Sequence, residues 1–154
     1  MQAFVLRVGV VAALLLPVGC GGGSSSSSQT ANFKTDFSSA VSQLKQTSQS
    51  IGQAIVHASS QTDAQIASAF NALAGRWQGA VSKLETLKPP SNLSTAFNTL
   101  TAAATRAETD LNAIVVAAKT HSASAAEQAS ASLVTDVASA KAASTTITDK
   151  LGIK

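Results

Sequence analysis

Tyrosine is absent from this chain, and cysteine, tryptophan and methionine each occur once in its 154 residues. A lone cysteine excludes an intrachain disulfide, a Cys-x-x-Cys-His haem attachment site and thiolate-rich zinc ligation. Proline is confined to Pro17 and the pair Pro89-Pro90, so long stretches run without a helix breaker. Charged residues make up only 12% of the chain. The basic ones stand singly, at Arg7, Lys34, Lys45, Arg76, Lys83, Lys88, Arg106, Lys119, Lys141, Lys150 and Lys154. No cluster of the kind that tracks a phosphate backbone exists, and nucleic acid is not an expected partner.

Other signatures are missing too. No Gly-x-Ser-x-Gly elbow is present, and no Glu-x-x-His pair of the di-iron kind. The only run of glycines, Gly21-Gly22-Gly23, leads into a serine tract and does not follow a strand as a phosphate loop would. Glu108 and Asp110, two apart on a helix, point to different sides. The reading is of a protein that is not an enzyme.

What is present begins at the N-terminus. Arg7 precedes an uncharged, mostly apolar stretch from Val8 to Val18, which ends in the small residues Gly19 and Cys20. About 11 apolar residues make roughly 17 Å of helix, short of the ~30 Å of a hydrocarbon core. The pattern is that of an export signal. Val18-Gly19-Cys20 resembles the end of a bacterial lipobox, with a departure at position −3, where Pro17 stands in place of the usual Leu. The resemblance implies that Cys20 is the lipidation site. It would carry a covalent diacylglyceryl group and become the first residue after cleavage. Ordinary cleavage near Gly19 to Gly22, releasing a soluble protein, is the other outcome. Two acyl chains hold a protein stably at a membrane where one does not. The expected organisation is a signal peptide at 1–19, a lipidated cysteine with a flexible Gly/Ser tether at 20–30, and a folded domain at 31–154. The expected location is the cell membrane or outer membrane, with the domain outside the cytoplasm.

The domain is rich in Ala, Ser, Thr and Gln. Four apolar stripes recur at steps of three and four, the period of a helix face. They run through Phe33, Phe37, Val41, Leu44, Ser48, Ile51 and Ile55; through Ile66, Phe70, Leu73, Trp77, Val81, Leu84 and Leu87; through Leu93, Phe97, Leu100, Ala104, Ala107, Leu111, Ile114 and Ala118; and through Leu133, Val137, Ala140, Ser144, Ile147 and Leu151. These predict helices over about 32–59, 63–87, 93–120 and 125–151. Thr62 with Gln65 and Ser124 with Glu127 have capping-box spacing, and Gly152 suits a C-terminal stop. Short links force antiparallel neighbours. The fold class is all-α, an up-down-up-down four-helix bundle, with a dimer of long hairpins as the alternative. The architecture resembles small Ala/Ser/Thr-rich bacterial lipoproteins, a likeness that adds no site residue beyond Cys20.

Trp77-Gln78-Gly79 is similar to the Trp-x-Gly turn signature of small secreted helical hairpins of the WXG type. Here the apolar stripe passes through Trp77 in register, which predicts a core position instead. Gly75 and Gly79 would let a neighbouring helix come close, and Arg106 with Asp110 has ion-pair spacing. At the end away from the tether, the topology gathers His57, Asp63, His121 and Glu127 as candidate zinc or copper ligands. The function expected is a non-enzymatic binding or structural module, lipid-anchored in the cell envelope, with a protein partner reached through an apolar patch to which Val115 and Val134 would contribute. The alternative is an envelope metal or small-ligand carrier using that cluster.

Overall fold

The computed structural model describes residues 24–153. These form four α-helices: α1 (Ser24–His57), α2 (Asp63–Glu85), α3 (Ser94–Lys119) and α4 (Ala123–Leu151), with single 3₁₀ turns at Ala58–Ser60 and Ser91–Leu93. Helices adjacent in sequence pack against each other, and α4 closes more lightly onto α1. The architecture is the expected antiparallel four-helix bundle. Cys20 and the apolar segment before it lie outside the described residues.

Local chemistry explains where the helices start and stop. Thr62 and Gln65 form the capping box at the start of α2, each accepting from the other's backbone N–H. Pro89 and Pro90 forbid continuation, and α2 ends at Glu85, slightly before the predicted Leu87. The C-terminus of α3 closes in a Schellman motif: the Ser122 N–H donates to the Ala117 carbonyl at 2.9 Å and the His121 N–H to that of Ala118 at 3.3 Å. The same device ends α4, with Gly152 at φ 60° and the Ile153 N–H donating to the Thr148 carbonyl at 3.0 Å.

Two expected boundaries move. The α3 closure turns the chain so tightly that α4 begins at Ala123 with Ser122 as its N-cap. Ser124 is thereby inside the helix, and the Ser124–Glu127 capping box does not form. At the other end, α1 begins at Ser24, so Ser24 to Thr30 is helical rather than a coiled tether. Serine is only moderately unfavourable in a helix, and extending a nucleated helix gains a hydrogen bond for every residue fixed.

The core is built from Phe33, Phe37, Leu44, Ile51, Phe70, Leu73, Trp77, Leu84, Leu93, Phe97, Leu100, Leu111, Ile114, Leu133 and Ile147, with alanines between them. In α1 the buried positions are Phe33, Phe37, Ala40, Leu44, Thr47 and Ile51, and Val41, Ser48 and Ile55 of the predicted stripe are only half-buried. In α4 Ala143 is buried and Ser144 half-buried. Ala40, Thr47 and Ala143 take the inward positions, and Val41, Ser48 and Ser144 beside them move to the flank. Phe33, Phe37 and Phe97 cluster near the start of α1, with ring centroids 5.5 to 6.4 Å apart.

Trp77 is in the core, not at a turn. It is 1% exposed, and its indole Nε1–H donates to the Ala104 carbonyl of α3 at 2.7 Å. A buried indole without a partner would cost roughly 1–3 kcal/mol; here the bond also ties α2 to α3. We expect Trp77→Ala to destabilise the domain by about 3–5 kcal/mol, measured by chemical denaturation. A cost below about 1 kcal/mol would contradict the central position given to this side chain.

Candidate functional site

Of the four residues expected to gather at the tip, the structure brings two together. Asp63 stands at the first turn of α2, and its Oδ2 lies 2.5 Å from Nδ1 of His121. His121 is held there by its backbone: it is the C′ residue of the α3 Schellman motif, at φ 54°, the left-handed conformation that residues with a Cβ disfavour. His57 and Glu127 are exposed and do not join them. Among the described residues no three His, Cys, Asp or Glu side chains converge as metal ligands would. The reason lies in the turns. His57 ends α1 one 3₁₀ turn before α2, while α4 starts early and carries Glu127 into its second turn. Asp63–His121 therefore links the α1–α2 corner to the α3–α4 corner, as an exposed pair worth at most about 1 kcal/mol.

A second polar cluster lies across the α3–α4 seam and was not foreseen. Arg106 does not pair with Asp110, four residues on; its Nε donates to Oδ1 of Asp136 in α4 at 2.9 Å. Asp110 is left with Oδ2 buried and without a hydrogen-bond partner. Burial holds its carboxyl above the usual carboxylate range, and the adjacent Asp136 adds to this. Arg106 works in the opposite direction, and a hydrogen bond to Asp136 again favours the protonated acid. The Arg106–Asp110 spacing was legible in the sequence. The register of α4 against α3, which supplies Asp136, was not.

The described surface offers shallow grooves. One of about 650 Å³ lies between the end of α2 and α3, lined by Glu85, Leu87, Phe97, Thr101 and Arg106 among others. Another, of about 430 Å³, runs between α1 and α2 over Thr47, Gly75 and Gly79. These glycines do not admit a neighbouring helix: a Cβ on either would meet no atom within 4 Å. Each weakens α2 by up to about 1 kcal/mol relative to alanine with no gain in packing. Of the two valines expected to form an apolar patch, Val115 is buried and Val134 is 58% exposed. Val56 and Val116, also exposed, lie on α1 and α3, so the exposed valines occupy three different helices. No described helix is long and apolar enough to cross a membrane.

Comparison with protein-family models, curated proteins and solved structures yields no match.

Two outcomes follow from this geometry. Asp110 binds its proton more tightly in the folded state than in the unfolded one. Its contribution is therefore fully present below the ordinary aspartate pKa and is lost as pH rises through the raised folded value. Asp110→Asn should stabilise the domain at about pH 7 by roughly 0.5 kcal/mol, the scale of a solvent-screened charge. That gain should shrink toward zero near pH 3, as followed by thermal melts across pH; a gain independent of pH would contradict the assignment. At the tip, His121→Ala and His121→Gly both remove the contact to Asp63, but only glycine relieves the left-handed backbone. The glycine variant should be the more stable of the two by about 1 kcal/mol, and equal melting temperatures would show that the turn carries no such strain.

Proposed function

We propose that this chain is a lipid-anchored, cell-envelope helical bundle that acts as a non-enzymatic binding or structural module. The observation that carries the reading is the position of the lone cysteine relative to the bundle. Cys20 follows an apolar segment and precedes by four residues the start of α1 at Ser24. Gln29 to Asn32 are exposed, and the described core begins at Phe33. About 13 Å of helix thus stands between Ser24 and the first core layer, a spacer that would set the folded domain off from an anchored Cys20.

The interior supports contact rather than enclosure. Buried alanines at Ala103, Ala104, Ala107, Ala129, Ala140 and Ala143 let the helices close up, which argues against a roomy central pocket. Recognition would therefore use the outside of the bundle, whose exposed positions are mostly uncharged polar groups. The metal-carrier alternative gains nothing from the tip, where only Asp63 and His121 meet.

The anchor is tested by expressing the full chain and its Cys20→Ser variant in a bacterial host fed a clickable fatty acid, followed by detergent phase partition. The parent chain should take up label and enter the detergent phase, and the variant should do neither. Unlabelled parent chain in the aqueous phase would overturn the reading.

A further inference from the structure

We propose that Asp110 is a proton-operated clasp on α4. Holding its proton, it donates across the α3–α4 seam to Asp136; losing it leaves two facing carboxylates and frees α4 to open from the bundle. This goes beyond the binding-module reading and does not rest on it.

The geometry of the seam carries the first half. Oδ2 of Asp110 is buried and has no hydrogen-bond partner. Its neighbour across the seam, Asp136, is also an acceptor, so the two carboxylates cannot satisfy each other while both are ionised. One proton resolves this. Protonated Asp110 becomes a donor, and Asp136 is the acceptor it meets. Arg106 cannot take that part, because its Nε is already given to Oδ1 of Asp136 at 2.9 Å. The one cation at the seam is thus engaged by Asp136, and Asp110 is left to the proton. Asp136 from α4 and Arg106 from its own helix are the charged groups that act on Asp110. Among the described residues α1 and α2 bring none to it, and Glu108, two residues away, points to another side of α3.

The second half follows from how α4 is held. It packs chiefly on α3 and only lightly on α1. Where α1 buries Phe33, Phe37, Leu44 and Ile51, α4 buries Leu133 and Ile147, and its other inward positions are alanines. Less apolar surface leaves water when α4 docks, so α4 is the helix that opens at least cost. Its hydroxyls add nothing to the hold, since those of Thr135, Ser139 and Thr146 return to the backbone of α4 itself. Asp136 lies between Leu133 and Ile147 in the sequence, on the stretch of helix between its two large anchors. A charge gained there acts where little else resists it.

The direction of the switch follows from linkage. The folded protein binds the Asp110 proton more tightly than the unfolded chain does. The clasp is therefore complete below the ordinary aspartate pKa and is released as pH rises through the raised folded value. The proton comes from solvent and returns to it, and no other bond is made or broken.

Amide hydrogen exchange tests this on the full chain in a non-ionic detergent, read by mass spectrometry and corrected for intrinsic rates. It is run at about pH 4 and about pH 7, on either side of the expected release. At both, the α4 amides should be less protected than those of α2, because α4 opens alone. From the lower pH to the higher, α4 protection should fall about two- to threefold, the scale of one solvent-screened charge. Asp110→Asn keeps a donor facing Asp136 that cannot be titrated away, and should abolish that fall. Arg106→Gln, a change at an exposed side chain, removes the charge that opposes protonation and should move the release to higher pH. Equal protection of α2 and α4, or a fall that survives Asp110→Asn, overturns the proposal.

Discussion

Everything in this bundle depends on how closely its helices approach over alanine. With no disulfide among the described residues and few ion pairs, stability has to come from packing, and packing improves as helix axes draw together. Ala103, Ala104 and Ala107 of α3 and Ala129, Ala140 and Ala143 of α4 are all buried. A longer side chain at any of them would force the pair apart, with a cost of typically about 1–3 kcal/mol. The larger residues, Trp77, the phenylalanines and the leucines, fill the space that remains between α1, α2 and α3. Trp77 joins the two regimes. Its ring occupies the wide part of the core while its N–H reaches an alanine carbonyl in the narrow part.

The same closeness shapes what the molecule has to offer chemically. The core is closed largely by methyl groups, and the polar groups described above stand at seams and surfaces. Asp110 shows the cost of one caught in between: half inside the α3–α4 seam, it faces a carboxylate whose arginine is already engaged. Thr47 shows the opposite case, a side chain drawn inward at a place where the surface is cut away by two glycines, with its hydroxyl still reaching water.

The architecture was legible because its evidence is periodic: apolar residues at steps of three and four, two prolines at one corner and short links leave little besides an antiparallel bundle. The capping box at Thr62 was legible for the same reason, being a pattern within four residues. What escaped depended on rotation and register. Whether Ala40 or Val41 points inward is a turn of about 100°, which a stripe of mixed small and large residues does not resolve. The tip cluster failed on one turn of chain: the Schellman closure brings α4 in early, so that His121 meets Asp63 while Glu127 is carried away. The pairing of Arg106 with Asp136 required the vertical setting of α4 on α3, which no local pattern encodes. The serine tract was misleading on composition alone, because a sequence that would be coil in isolation is helix when it continues a packed one.

That continuation changes the mechanics of the N-terminal side. A Gly/Ser coil would have let the bundle tumble independently, sampling every orientation within its reach. A helix running without interruption from Ser24 into the first core layer transmits torque instead. Any constraint on the chain at Ser24 then sets both the height and the azimuth of the domain, and the α1–α2 groove, carried on that same helix, faces a fixed direction. Encounters with any one face of the bundle would become a matter of approach angle as well as concentration.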